Sequence, residues 1–223
     1  MNLTVVGASD FFARGFATWA VGSGHRVSIV GPSLDQAQVF AKGIKAAQAA
    51  GPRDPLLDNV IVFAMPYDCV LDARDSYGNQ LDGKIVVDVT TPVDFDTSEP
   101  LHPEAGSVAE EIANARPGAR VVKAFSRRFS AGMPTGRRTE PLSLEVLIAS
   151  DDVEAKRTAS DLFKEGGLRP IDVGPLRRAR ELEAVGFLQL ATQPSLETVL
   201  IVGTHSPASP RVSRNRPLAR NLT

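Results

Sequence analysis

Residues 2–21 read NLTVVGASDFFARGFATWAV. The run from Asn2 to Val6 is apolar and β-branched without a polar alternate face, the pattern of a strand buried on both sides. Gly7-Ala8-Ser9-Asp10 is a turn, and the apolar spacing of residues 11–21 predicts a helix. Strand, tight turn and helix in this order open a dinucleotide-binding βαβ unit. Its G-x-G-x-x-G pattern uses one glycine for the turn, a second so that a pyrophosphate can reach the backbone, and a third for close helix–strand packing. Gly7 can take the first role. Ser9 stands in place of the second glycine and Ala13 in place of the third. An extra residue and two phenylalanines, Phe11 and Phe12, lie between them. The layout predicts a nucleotide fold, and the altered turn makes nucleotide binding the property to test.

Outward from this unit, apolar runs alternate with helical patterns. Strands are expected at 2–6, 26–30, 59–63, 84–89, 120–124, 143–149 and 168–173, and helices at 11–21, 33–47, 67–76, 107–115, 152–164 and 176–192. Strand–helix alternation predicts an α/β fold of the Rossmann type: a doubly wound, mostly parallel sheet with a small C-terminal helical portion. The expected organisation is a dinucleotide-binding domain over 1–150, a small α/β portion over 151–205 packed on it, and a basic tail over 206–223. That tail holds three prolines and four arginines.

A chain of 223 residues with 43% hydrophobic and 23% charged content can bury a core without disulfide or metal staples. Its formal net charge of -1 gives no pull toward nucleic acid or membrane surfaces. No apolar run is long enough for a membrane span, and the N-terminus lacks a secretory layout. The single cysteine, Cys69, sits in a helical stretch, is expected to be packed, and fits a reducing compartment. A cytoplasmic protein is expected. His25, His102 and His205 are scattered without ligand spacing, so no metal is expected.

Ligands of a doubly wound sheet sit beyond the carboxyl ends of the strands, where the strand order reverses. Five sets of residues fall there. Gly7, Ala8, Ser9, Asp10 and Phe11 follow the first strand, and Gly31 and Ser33 the second. Ala64, Met65 and Pro66 follow the next, then Thr90, Thr91 and Pro92, with Lys123 and Ala124 at the end of a further strand. All are candidate cofactor contacts. Asp10 and Ser33 also suit helix N-caps.

The stretches FAMPY (63–67), DGKIVVDVTTPVD (82–94), PGARVVKAF (117–125) and GGLRP (166–170), running on through DVGPL (172–176) to Glu183, carry a family likeness. In this combination and order the chain resembles the NADPH-dependent reductases of the deazaflavin coenzyme F-420, in their bacterial branch, over roughly residues 1–190. The resemblance implies a Rossmann domain, a homodimer, and hydride transfer between NADP(H) and a deazaflavin or flavin-like ring, or a small organic acceptor. Cofactors of this kind carry the chemistry themselves while the protein orients them and excludes water, so no catalytic residue is named.

The chain departs from that pattern in three places. The first turn is altered, as above. After the second strand, Pro32-Ser33 stands where the family often has Ser-Arg; Ser33 can hydrogen-bond a 2′-phosphate or cap the next helix, and Arg53 or the tail can supply charge. The lack of an acidic residue there tilts the expectation to NADP over NAD. Ser126-Arg127-Arg128 replaces an Asn-Thr-Thr-like stretch beside the acceptor. Ser126 and Arg127, with Gly174 and Pro175, are the candidate substrate contacts. The run Arg177 to Glu183 reads as a solvated or subunit-facing surface, and Leu182, Val185 and Leu188 as a candidate dimer face. A non-redox enzyme of cyclase or isomerase type on a repurposed fold, and a nucleotide-sensing module, are the alternatives.

Overall fold

The computed structural model describes residues 1–7, 11–46, 48–125 and 145–191. Residues Met1–Thr192 form one compact unit, and Gln193–Thr223, a second, lies outside the described residues. The strands are β1 (Asn2–Val6), β2 (Arg26–Val30), β3 (Gln48–Ala50), β4 (Val60–Phe63), β5 (Ile85–Asp88), β6 (Arg120–Phe125), β7 (Glu145–Ala149) and β8 (Arg169–Gly174). The helices are α1 (Phe11–Gly22), α2 (Leu34–Ile44), α3 (Tyr67–Tyr77), α4 (Val108–Ala115), α5 (Val153–Glu165) and α6 (Ala179–Ala191).

All eight strands make one sheet in the order β3-β2-β1-β4-β5-β6-β7-β8. The pairs from β3 through to β6 are parallel, β7 runs antiparallel to β6, and β8 runs parallel to β7. This is the doubly wound, mostly parallel architecture expected. The strands are apolar because both faces are covered. One core joins Leu3, Val5, Val62, Val87 and Val122 to Phe16 and Ala20 of α1, Phe40 of α2 and Phe163 of α5. The other joins Val6, Phe63, Val86 and Val121 to Val70 of α3, Ile112 of α4 and Ala179 of α6. The expected boundary at 150 falls inside this sheet, since β8 pairs with β7 along Glu145 to Ala149.

Strand β3 is absent from the sequence reading, which runs helix two through to residue 47. The helix instead ends at Ile44. Lys45 takes a left-handed conformation (φ 58°), and its N–H reaches the carbonyls of Ala41 and Lys42. No glycine marks this stop, and Gln-Ala-Ala is a poor strand signal, so neither event shows locally. The expected helix 176–192 likewise begins as a 3₁₀ turn over Leu176–Arg178 before α6.

Candidate functional site at the carboxyl rim of the sheet

The sheet's hydrogen bonding continues past the strand ends and sets the rim loops in one row. Gly7 N–H reaches Val30 O (3.0 Å), Ala64 N–H reaches Val6 O (3.1 Å), Val89 N–H reaches Phe63 O (3.1 Å) and Gly31 N–H reaches Ala50 O (3.3 Å). The strand order reverses at β1, which lies between β2 and β4. There Gly7 has φ 129°, a conformation side chains rarely adopt, and a β-carbon on it would strike the backbone carbonyl of Ala64. Glycine is thus required for the two loops at the switch point to lie against each other. Helix α1 starts at Phe11 with no acidic residue in its first turn, and Asp10 directly precedes it in the sequence; a helix amino end carries a positive partial charge that suits anions. Ala8, Ser9 and Asp10 lie outside the described residues. Ala13, in the place of the third glycine, is fully buried in the core.

At the β2 tip, Ser33 is the N-cap of α2, its hydroxyl accepting from the N–H of Gln36 (3.3 Å). Capping leaves the hydroxyl hydrogen available as a donor. The turn after β3 abuts this point. Gly51 N–H meets the Asp54 carboxylate (2.8 Å), Asp54 N–H returns to Gly51 O (3.2 Å), and a β-carbon on Gly51 would sit 3.8 Å from the backbone nitrogen of Leu34. Exposed Arg53 belongs to this turn, two residues after Gly51.

Further along the rim, Thr90 ties two loops together. Its hydroxyl donates to Met65 O (3.3 Å), and its N–H donates to the Asp88 carboxylate (2.9 Å). Ala64, Met65 and Pro92 are buried, whereas Pro66 and Thr91 are half-exposed at the rim. Tyr67, opening α3, donates its hydroxyl to Glu111 (2.8 Å). Burial and that carboxylate push its phenol well above the usual value, so it stays protonated.

Beneath β5 and β6 lies a buried ionic cluster. Asp88 and Lys123 are register partners on adjacent strands, and Lys123 Nζ lies 2.7 Å from Asp88 and 2.7 Å from Glu183 of α6. It also donates to Thr90 O (2.5 Å), and both Glu183 oxygens accept from Val108 N–H (3.1 and 3.2 Å) at the start of α4. Burial raises the Glu183 carboxyl above its ordinary value, aided by Asp88 and opposed by Lys123. Burial also works against the Lys123 charge, but the two carboxylates outweigh it and hold its ammonium above the ordinary value.

Several sequence expectations are corrected here. Lys123 is not an open cofactor contact: all three ammonium donors are spent on protein groups. Ala124 faces the opposite core, with 1% exposure. Gly174 and Pro175 end β8, which runs against β6. Gly174 O accepts from Ser150 N–H, and the Ser150 hydroxyl reaches Val121 O, near the amino end of β6. The reversed strands carry Gly174 and Pro175 away from the carboxyl rim. Cys69 is exposed on α3 rather than packed. The 177–183 run is not uniformly solvated: Glu183 is buried, and Arg180 pairs with Glu110 (2.7 Å). Ser126 and Arg127 lie outside the described residues. Among the described residues no group of three or more His, Cys, Asp or Glu could hold a metal, and no helix is long and apolar enough to cross a membrane.

The strand order defines a Rossmann-type fold, a class whose ligands bind outside the carboxyl ends of the strands at the switch point, here between β1 and β4. Within that class, the chain is similar in sequence and in fold to F420-dependent NADP reductases. It is 31% identical over 132 residues to the F420-dependent NADP reductase of Methanocaldococcus jannaschii, covering 57% of this chain and 58% of that protein. It is 32% identical over 199 residues to metalloreductase STEAP3 of Rattus norvegicus, covering 89% of this chain and 39% of that protein. The chain thus spans well under two thirds of both curated relatives. A solved structure from Arthrobacter sp. FB24, assigned as an F420-dependent NADP reductase, superposes with TM-score 0.70 at 25% identity, over 84% of this chain and 90% of that one. An imine reductase from Myxococcus stipitatus, solved with NADP+, shares the fold at 18% identity (TM-score 0.61, 91% and 63% covered). No protein-family model matches the chain.

Proposed function

We propose that this protein is an NADP(H)-dependent oxidoreductase that exchanges hydride with a deazaflavin of the F-420 type, or with a related flavin-like ring. The observation that carries this reading is the close approach of Gly7 to Ala64 at the switch point, which leads into the amino end of α1. Kinship with the F420-dependent NADP reductases points the same way.

The residues fit a nicotinamide dinucleotide. Gly7 and the α1 amino end suit the pyrophosphate. Arg53 and the Ser33 hydroxyl suit a 2′-phosphate at the β2 tip, which favours NADP over NAD. Pro66 and Thr91 form a rigid, weakly polar rim for the nicotinamide ring, since proline fixes φ. When bound, reduced nicotinamide supplies a hydride, and the acceptor ring takes that hydride with one proton from solvent. The protein's share is to orient two flat rings and keep water out.

A cytoplasmic setting accords with the exposed thiol of Cys69. Pairing of two copies through Val185 and Leu188, both exposed on α6, accords with the homodimer implied by the family. Analytical ultracentrifugation of Val185→Asp/Leu188→Asp checks that face.

Calorimetric titration with NADPH, NADH, oxidised F-420 and FMN, followed by NADPH oxidation in the presence of each acceptor, tests the redox reading. Binding of NADPH with turnover supports it. No binding at millimolar NADPH overturns it, and binding without turnover favours a nucleotide sensor. The sequence of the first turn, with Ser9, Phe11 and Phe12, favours a non-redox enzyme as the second reading.

A further inference from the structure

Asp88, Lys123 and Glu183 are each at most 4% exposed, and one ammonium faces two carboxyl groups. Such a cluster is a poor way to gain stability. Apolar residues of similar size pack a sheet at least as well, because desolvating ions offsets their attraction. Its connections are what set it apart. Asp88 holds the Thr90 N–H, Lys123 holds the Thr90 carbonyl, and the Thr90 hydroxyl holds the Met65 carbonyl. Glu183 brings α6 and the first N–H of α4 into the same network.

We propose that Asp88, Lys123 and Glu183 are positioning residues for the ring-binding half of the crevice, fixing the Thr90–Pro92 loop against the Met65–Pro66 loop through Thr90. This inference rests on the redox reading and names the part of the chain that sets ring geometry. It separates the crevice into halves with different supports. The adenine and 2′-phosphate half rests on the β2 tip, which β1 and β4 separate from the cluster's β5 and β6, while Gly7 stands between the halves against Ala64 and Met65. The ring half rests on Thr90, which the cluster grips at both backbone polar groups. Misplacing reacting rings by even an ångström costs rate steeply, whereas it costs the distant phosphate contacts nothing.

The test compares two ligands on the full chain: NADPH, and 2′-phospho-ADP-ribose, which lacks the nicotinamide. In Glu183→Leu, NADPH affinity and F-420 turnover at saturating NADPH are expected to fall about tenfold or more, with 2′-phospho-ADP-ribose affinity unchanged. Glu183→Gln, which can still accept from Lys123 and Val108, is expected to recover most of that loss. Equal weakening of both ligands, or no change in either, overturns the inference and leaves the redox reading standing. If Glu183→Leu fails to fold, Thr90→Val removes only the bridge to Met65 and must show the same one-sided loss; an even loss overturns the inference. A wild-type chain that binds neither ligand overturns the redox reading and this inference with it.

Discussion

Gly7 and Ala64 meet backbone to backbone, closer than any β-carbon on residue 7 would allow. The contact joins the first βα turn to the loop after β4. Gly7→Ala must change φ from 129° as well as relieve the collision. A loss of about 1–3 kcal/mol is expected from the backbone conformation alone, together with weaker NADPH binding. Urea denaturation and calorimetry check both.

Replacing the charge in the buried cluster separates two effects. In Lys123→Met two buried carboxyl groups lose their counter-ion, and a loss of about 3–5 kcal/mol is expected at neutral pH. The loss shrinks in acid, where the carboxyl groups become neutral. Glu183→Gln behaves oppositely. The folded-state value of Glu183 is raised, so its contribution is full below the ordinary carboxylate range and is lost as pH rises through the raised value. Relative stability of Glu183→Gln over wild type should therefore grow with pH. Denaturation series from pH 4.5 to 8, a range set by the ordinary carboxylate value of about 4.3, read the sign directly.

Arg53 is an exposed cation in the turn that follows β3, whose Gly51 lies against Leu34 at the start of α2. Arg53→Glu is expected to lower NADPH affinity about tenfold, equivalent to about 1.4 kcal/mol, with NADH affinity unchanged or improved. Parallel titrations measure this preference, and an equal effect on both nucleotides removes Arg53 from the site.

Asp152 serves two structural roles away from the rim. It caps α5 by accepting from Ala155 N–H (2.8 Å) and pairs side-on with Arg120 (2.7 and 2.9 Å). The Arg120 guanidinium and the backbone N–H groups hold its carboxyl well below the usual range. Its contribution is therefore present above the ordinary carboxylate value and lost as pH falls through the depressed one. Asp152→Ala should cost about 1 kcal/mol at pH 7, and the difference from wild type should narrow in strong acid without activity changing. Thermal scans at both pH values check it.

Much of the architecture was legible because parallel strands covered on both faces must be apolar throughout, and KIVVDV and RVVKAF say so. Those same strings held the missed signal: each carries one charge, Asp88 and Lys123, at the same height in neighbouring strands. A lone charge in a doubly covered strand needs a buried partner. Local pattern pairs these two but cannot supply Glu183, which arrives from 60 residues later and looks like one more charge in a surface run. Gly174 and Pro175 were misplaced for a global reason. Their position depends on β7 reversing direction, a choice made between strands and invisible within either. The stop of α2 at Lys45 was hidden because a lysine, not a glycine, takes the left-handed turn. The likeness to F-420 reductases held because its motifs lie at strand ends, where backbone shape constrains sequence.

The direction of β7 has an evolutionary consequence. Because β7 runs antiparallel to β6, with Phe125 opposite Leu147, the carboxyl end of β6 and the amino end of β7 lie at the same edge of the sheet. Insertions, deletions or wholesale swaps between those two anchor points leave every ladder bond of the scaffold in place. Sequence change there can therefore accumulate without touching the parallel strands that carry Gly7, Ala64 and Thr90 into the rim.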